Sequence, residues 1–211
     1  MFDIYLRNLK DLIIEPITKI FRGLKRHGVT PNTFTYLSGI FGLIGILNSY
    51  KGNVNKAFLY FVLNRIFDGV DGAYARMTDQ CSDFGGYLDI CIDFTIYGLI
   101  PLGVTAKDPS YNAWIALTLL EVSFFVNAAG LFMLSALIDK NKAAQEKYQN
   151  QIDSSSKKDE KLNKEVTSVK MPPALIEGFE SLVLFSLIIL LPQYQVELYS
   201  LFCAGVVITI L

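Results

Sequence analysis

The sequence predicts an all-α, polytopic membrane protein with about six transmembrane helices preceded by an N-terminal amphipathic interfacial helix. Three observations carry this expectation. The 211-residue chain is 52% hydrophobic, with a mean hydropathy of +0.36, too apolar for an ordinary soluble domain of its size. Six separate stretches approach the roughly 20 apolar residues that a helix needs to cross the hydrocarbon core. Acidic residues, costly in lipid, collect at the motif-bearing ends of only two of those stretches.

Residues 1–28 form the first element. Ile4, Leu9, Leu12, Ile13, Ile17 and Ile20 can share a broad apolar face, while Arg7, Lys10, Lys19, Arg22, Lys25 and Arg26 can meet anionic headgroups. The same pattern would serve an amphipathic helix packed on protein. This segment lacks an uninterrupted apolar core and a small-residue cleavage site, so no cleaved signal peptide is expected. His27, the single histidine, sits in its basic run and is not expected to act in catalysis.

One membrane domain, 29–211, follows. Its expected spans are roughly 33–50, 54–75, 85–106, 112–138, 172–192 and 194–211. Pro31, Pro101 with Gly103, Pro109, Pro172 with Pro173, and Pro192 fall near the proposed ends, where a missing amide donor is tolerable. Residues 140–170 are polar, carry a Ser-Ser-Ser tract and lack an apolar period, so a cytoplasmic loop is expected. The chain ends inside apolar sequence, GVVITIL, as a span cut short of its end would.

Charge placement then orients the spans. The formal net charge is −1, so bulk charge predicts no nucleic-acid partner. With a cytoplasmic N-terminus, the basic residues of 1–28, Arg76 and the lysines from Lys140 to Lys170 lie inside, leaving Lys51, Lys56 and Lys107 outside. That asymmetry favours a cytoplasmic N-terminus and a cytoplasmic active site. Cys81, Cys91 and Cys203 lack CxxC spacing, so neither a disulfide framework nor a thiolate zinc site is expected.

The chemistry concentrates in DGVDGAYARMTDQCSDFGGYLDICID, from Asp68 to Asp93. At about 100° per residue, Asp68 and Asp71 are offset by roughly 60° and Asp89 and Asp93 by roughly 40°, so each pair shares one helix face. Two such faces opposed would gather four carboxylates. An ionised cluster of that kind in a low-dielectric site demands cations. Oxygen-only ligands point to Mg2+ or Mn2+, ions that keep substrate phosphate in their coordination shell. Gly72, Ala75 and Gly85 are small enough to let a helix or a nucleotide approach the backbone. Arg76 offers a planar charged fork to phosphate oxygens. Asp79 and Asp83 fall in the turn between the two motif helices, as a cap and turn.

These residues match, position for position, the pattern D-x2-D-G-x2-A-R-x8-G-x3-D-x3-D of the CDP-alcohol phosphotransferase family, which the chain therefore resembles. With eight fixed positions each met by chance about one time in twenty, a coincidental match is on the order of one in ten billion per start site. The Thr30-Pro31-Asn32-Thr33 segment, with Thr35 following, resembles the short run that family members place beside the cytidine pocket. The Glu177-Gly-x-Glu180 run resembles one associated with a short, single-domain bacterial branch.

The resemblance implies transfer of a substituted phosphoryl group, here a phosphatidyl group, from a CDP-activated lipid such as CDP-diacylglycerol to a hydroxyl of a small alcohol, with release of CMP. It implies Asp68, Asp71, Asp89 and Asp93 as ligands of two metal ions, with Asp93 also the general base. It implies Thr30, Pro31, Asn32, Asp68, Gly72, Ala75, Arg76 and Gly85 as the CDP-binding residues. It further implies phospholipid biosynthesis in the bacterial inner membrane and a homodimer. The acceptor alcohol is unassigned; Glu177 and Lys140 are candidates for binding it. Glu121, Glu177 and Glu180 could equally pair with Arg65 or cap helix contacts. The many Phe and Tyr residues are expected at lipid-facing or interfacial positions.

Two rival functions fit less of the sequence. Asn64-x3-Asp68 and Asp89-x3-Asp93 mimic the motifs of intramembrane prenyltransferases, but those enzymes keep their acidic motifs far apart. A divalent-cation transporter would use the acids but not Gly72, Ala75, Arg76 or Gly85, and a fixed cation at Arg76 opposes cation passage.

Overall fold

A computed structural model describes the backbone of residues 28–153 and 178–210, with side chains over 28–142 and 180–210, and the isolated positions Pro16 and Phe21. The expected interfacial helix over 1–28, and with it Glu177, lies outside the described residues.

All described elements are helical: α1 (Pro31–Tyr50), α2 (Val54–Thr78), α3 (Asp83–Lys107), α4 (Tyr111–Asp153), α5 (Gly178–Leu190) and α6 (Gln195–Ile210), with a short 3-10 turn at Pro192–Tyr194. The apolar segments predicted where all six lie, four of them to within a few residues; α4 runs on to Asp153 from an expected end at 138, and α5 is described from Gly178 against an expected start at 172. By length and composition, however, only Asp83–Lys107 and Tyr111–Lys142 among the described residues are able to cross a membrane alone. A third span results if Glu180–Leu190 and Pro192–Ile210, bent by 108° at the break, count as one. The six-span expectation is therefore shown only in this coarser form. Helix α1 is diluted by hydroxyl, amide and small residues, and α2 carries Lys56, Arg65, Asp68, Asp71 and Arg76.

The local chemistry explains the helix boundaries. Pro31 is the first residue of α1, where its missing amide and fixed φ cost nothing. Helix α2 stops at Thr78 because Asp79 adopts a left-handed conformation (φ 53°, ψ 43°), and the Gln80 amide returns to the Ala75 carbonyl at 2.9 Å. Ser82 then caps α3, its hydroxyl accepting from the Gly85 amide at 3.1 Å. The expected turn between the motif helices is thus four residues long, 79–82, with Asp79 as cap and Asp83 in the first turn of α3.

Two expectations change. Helix α4 continues through the polar stretch to Asp153, so residues 140–153 are helical rather than loop. Polar residues extend a helix readily once an apolar span has nucleated it. Pro101 is not at the end of α3 but inside it, six residues before Lys107, and its carbonyl accepts a hydrogen bond from Tyr199 at 3.0 Å.

Helix α1 packs on both α2 and α3, α4 pairs with α6, and α5 bridges the two groups. The approach of α1 to α3 depends on Gly42, where any side chain would overlap Ile96, itself 1% exposed. The core joining the groups is aromatic. Phe185, fully buried, stacks on Tyr97 with centroids 4.8 Å apart and meets Phe202 edge-on at 5.3 Å. Several aromatics expected at the lipid face, including Phe61, Tyr74, Phe185, Tyr199 and Phe202, are instead core residues. Tyr36, Tyr87, Tyr111 and Phe125 do lie exposed.

Candidate metal and diphosphate site

With α2 and α3 each packed on α1, the acids in the C-terminal half of α2 face those in the N-terminal half of α3. Asp68, Asp89 and Asp93 each contribute a carboxylate oxygen to a group lying within 4.8 Å of one another. All three are half-buried. The periodicity of each helix brings its own acids to one face, and the docking of both helices on α1 opposes the faces. Three carboxylates from two helices form a hard-oxygen donor set, the ligand chemistry that suits a divalent ion of the Mg2+ or Mn2+ kind.

Asp71 is placed differently. It is 6% exposed, and its Oδ2 accepts a 2.6 Å hydrogen bond from the Thr35 hydroxyl on α1. It faces a cavity of about 180 Å³ beside the three-carboxylate cluster, lined by Pro31, Asn32, Thr35, Asp71, Gly72, Ala75, Arg76, Gln80, Cys81, Ser82, Gly85, Gly86 and Asp89. Six of the expected CDP-binding residues, Pro31, Asn32, Gly72, Ala75, Arg76 and Gly85, line this one space. Thr30 and Asp68 do not; Thr30 instead lies 3.4 Å from the Thr33 hydroxyl. Gly85 sits in a tight place, since a Cβ there would lie 3.1 Å from both Asn32 Oδ1 and Ser82 Oγ and one of these side chains would have to give way. Arg76 is exposed at the cavity and has no ion pair among the described residues, so its fork is free for an anion.

Asp89 lines the cavity and also belongs to the carboxylate cluster. A cation on the cluster and a phosphate in the cavity would therefore touch through one residue.

The sequence reading missed Arg65 as a site residue. Its Nη2 donates to Asp93 Oδ1 at 2.6 Å and its Nη1 to Asp93 Oδ2 at 3.2 Å, while Nη1 lies 3.7 Å from Asp68 Oδ2. Nη1 also donates to the Tyr97 hydroxyl at 2.6 Å, and Nε donates to Asn64 Oδ1 at 2.7 Å. An arginine in a largely apolar helix, three residues before an aspartate, must find a partner where it is buried. That spacing was the available signal. Arg65 is thus committed to Asp93 and Asp68 rather than to Glu121. Glu121 lies near Gly98 and its buried Oε1 has no partner among the described residues. Lys140 is exposed on α4, and Glu180 begins the described side chains of α5.

The fold and site define a helical membrane protein with a three-carboxylate cluster that could hold a metal ion, set beside a cavity carrying an exposed arginine. The chain belongs to the CDP-alcohol phosphatidyltransferase family, whose sequence profile matches residues 28–210, and is accordingly a phosphotransferase acting on CDP-alcohol substrates and an alcohol acceptor in the membrane. It is similar along nearly its whole length to the inner membrane protein YnjF of Escherichia coli, with 29% identity over 198 residues covering 94% of this chain and 87% of that protein. Shorter similarities are found to archaetidylinositol phosphate synthase of Pyrococcus horikoshii, 32% identical over 88 residues, 42% of this chain and 47% of that enzyme. A CDP-diacylglycerol–serine O-phosphatidyltransferase of Helicobacter pylori is 33% identical over 82 residues, 39% of this chain and 35% of that enzyme.

Proposed function

We propose that this protein transfers the phosphatidyl group of CDP-diacylglycerol to the hydroxyl of a small alcohol, releasing CMP, at the cytoplasmic face of a bacterial inner membrane. The observation that carries the proposal is the shared residue Asp89, which joins the Asp68–Asp89–Asp93 cluster to the cavity lined by Asn32, Gly72, Ala75, Arg76 and Gly85. The acceptor oxygen attacks phosphorus, the bond from phosphorus to the CMP oxygen breaks, and CMP leaves with the electron pair. The acceptor proton passes to the Asp93 carboxylate. Asp68, Asp89 and Asp93, with Asp71 at the cavity wall, would hold the divalent cations, which supply charge neutralisation of the diphosphate when bound. Arg76 binds phosphate oxygens, and Asn32 and Gly85 shape the nucleoside end.

Six spans, a cytoplasmic N-terminus and a homodimer complete the reading; the distribution of basic residues supports the orientation, and family resemblance supports the dimer. The acceptor is one of a class that includes glycerol phosphate, inositol phosphate and serine. Purified protein incubated with labelled CDP-diacylglycerol and each of these alcohols should yield CMP and one new lipid of matching mass, abolished by EDTA. CMP release from none of them, together with turnover of a prenyl diphosphate, would move the protein to the prenyltransferase class.

A further inference from the structure

The guanidinium of Arg65 is held from every side. Its Nε is fixed by Asn64 Oδ1, and Asn64, fully buried, is fixed in turn by donating to the Ser38 carbonyl at 3.0 Å and the Ser38 hydroxyl at 2.8 Å. The Tyr97 ring lies 4.9 Å from the guanidinium carbon and the Phe61 ring 5.9 Å. The remaining edge forms the two-point contact with Asp93. The chain Ser38–Asn64–Arg65–Asp93 therefore ties the carboxylate on α3 to α1 through α2.

Such a contact fixes more than charge. A carboxylate has about four lone-pair directions, and a two-point guanidinium contact occupies two and sets the plane of the other two. Asp68 and Asp89 lie beside Asp93 and repel it; a fixed fork holds it in place, whereas a flexible point charge would not.

We propose that Arg65 is a positioning residue for transfer: it orients Asp93 so that its free lone pairs meet the acceptor hydroxyl, and thereby favours alcohol over water as the nucleophile. This rests on the reading of Asp93 as the base. Alcohol and water attack the same phosphorus and release the same CMP, giving a phosphodiester lipid or phosphatidic acid respectively. A mis-set carboxylate costs more for a large nucleophile that must dock in one orientation than for water, which can approach in many.

The test uses full-length protein in liposomes with CDP-diacylglycerol and the glycerol phosphate, inositol phosphate and serine panel, scoring CMP, phosphodiester lipid and phosphatidic acid separately. Arg65→Gln should lower kcat for transfer on the order of 100-fold while leaving the KM for CDP-diacylglycerol within about twofold, and should raise the phosphatidic acid fraction of the CMP released. Arg65→Lys, which keeps the charge and loses the fork, should fall roughly tenfold with the same shift in product ratio. Tyr97→Phe removes only the hydroxyl contact and keeps the ring stacked on Phe185, so it serves where Arg65 variants unfold, and should give a smaller loss with the same signature. An unchanged product ratio in Arg65→Lys and Tyr97→Phe, or a parallel loss of donor binding and thermal stability, would overturn the positioning role. Wild-type turnover by Asp93→Asn in the same assay would instead overturn the base assignment itself.

Discussion

The Thr35 hydroxyl on α1 and the Asp71 carboxylate on α2 meet at 2.6 Å in a buried contact. This bond separates Asp71 from the three-carboxylate cluster and makes it part of the cavity wall. Hydrogen bonds to charged groups contribute about 1.5–3 kcal/mol, and Asp71 is too buried for water to replace the hydroxyl fully. Thr35→Val should therefore lower the melting temperature and raise the KM for the CDP-activated lipid about tenfold, with kcat little changed. Thermal unfolding in detergent and steady-state kinetics check both parts. A fall in kcat alone would place Asp71 with the reacting groups instead.

The three clustered aspartates should separate by role. Asp93→Asn should abolish turnover, a loss in the range of about 100-fold to 10,000-fold expected for a general base, while retaining most CDP-lipid binding. Asp89→Asn should lose both turnover and binding, because Asp89 belongs to the cavity as well as to the cluster. Titration of Mn2+ by paramagnetic resonance should show weakened uptake in Asp68→Asn and Asp89→Asn. Equal effects of Asp89→Asn and Asp93→Asn on lipid binding would remove the distinction.

Cys81 is an exposed thiol on the cavity wall. In a Cys91→Ser, Cys203→Ser background, a maleimide should label Cys81 readily, and CDP with Mg2+ should slow labelling several-fold. CDP with EDTA should protect less. Labelling unaffected by CDP at saturating concentration would place the nucleotide elsewhere.

Much of this site was legible in the sequence because it is local. Asp68 to Asp93 spans two helices and a four-residue turn, and helical periodicity fixes which acids share a face. Docking of both helices on α1 then opposes the faces. The contact of Asp71 with Thr35 and the anchoring of Asn64 by Ser38 were not legible, since both cross to α1 over more than 25 residues, and no local period encodes that register. Arg65 was visible as a span arginine, but which acid it would choose depended on where α3 docks. The helical extension of α4 to Asp153 escaped for a different reason: low apolarity marks solvent contact, which an exposed helix shares with a loop.

Gly42 tests how the packing of α1 supports the site. A Cβ at this position would intrude on the Ile96 side chain and come within 3.2 Å of Asn64 Nδ2. Ile96 is buried in the core, so moving its side chain aside disturbs its neighbours, and Asn64 is held by Ser38. Gly42→Ala should therefore destabilise by about 1–3 kcal/mol, the usual cost of overpacking a tight core. Ile96 lies one turn beyond Asp93 on α3, and Asn64 anchors Arg65, so the strain reaches the Asp93 contact from both helices. The variant should lose transfer activity beyond its fraction unfolded at the assay temperature. Gly130→Ala on α4, where a Cβ meets nothing within 4 Å, should be near neutral in stability and activity. Equal behaviour of the two alanine variants would show that α1 does not constrain the carboxylate cluster.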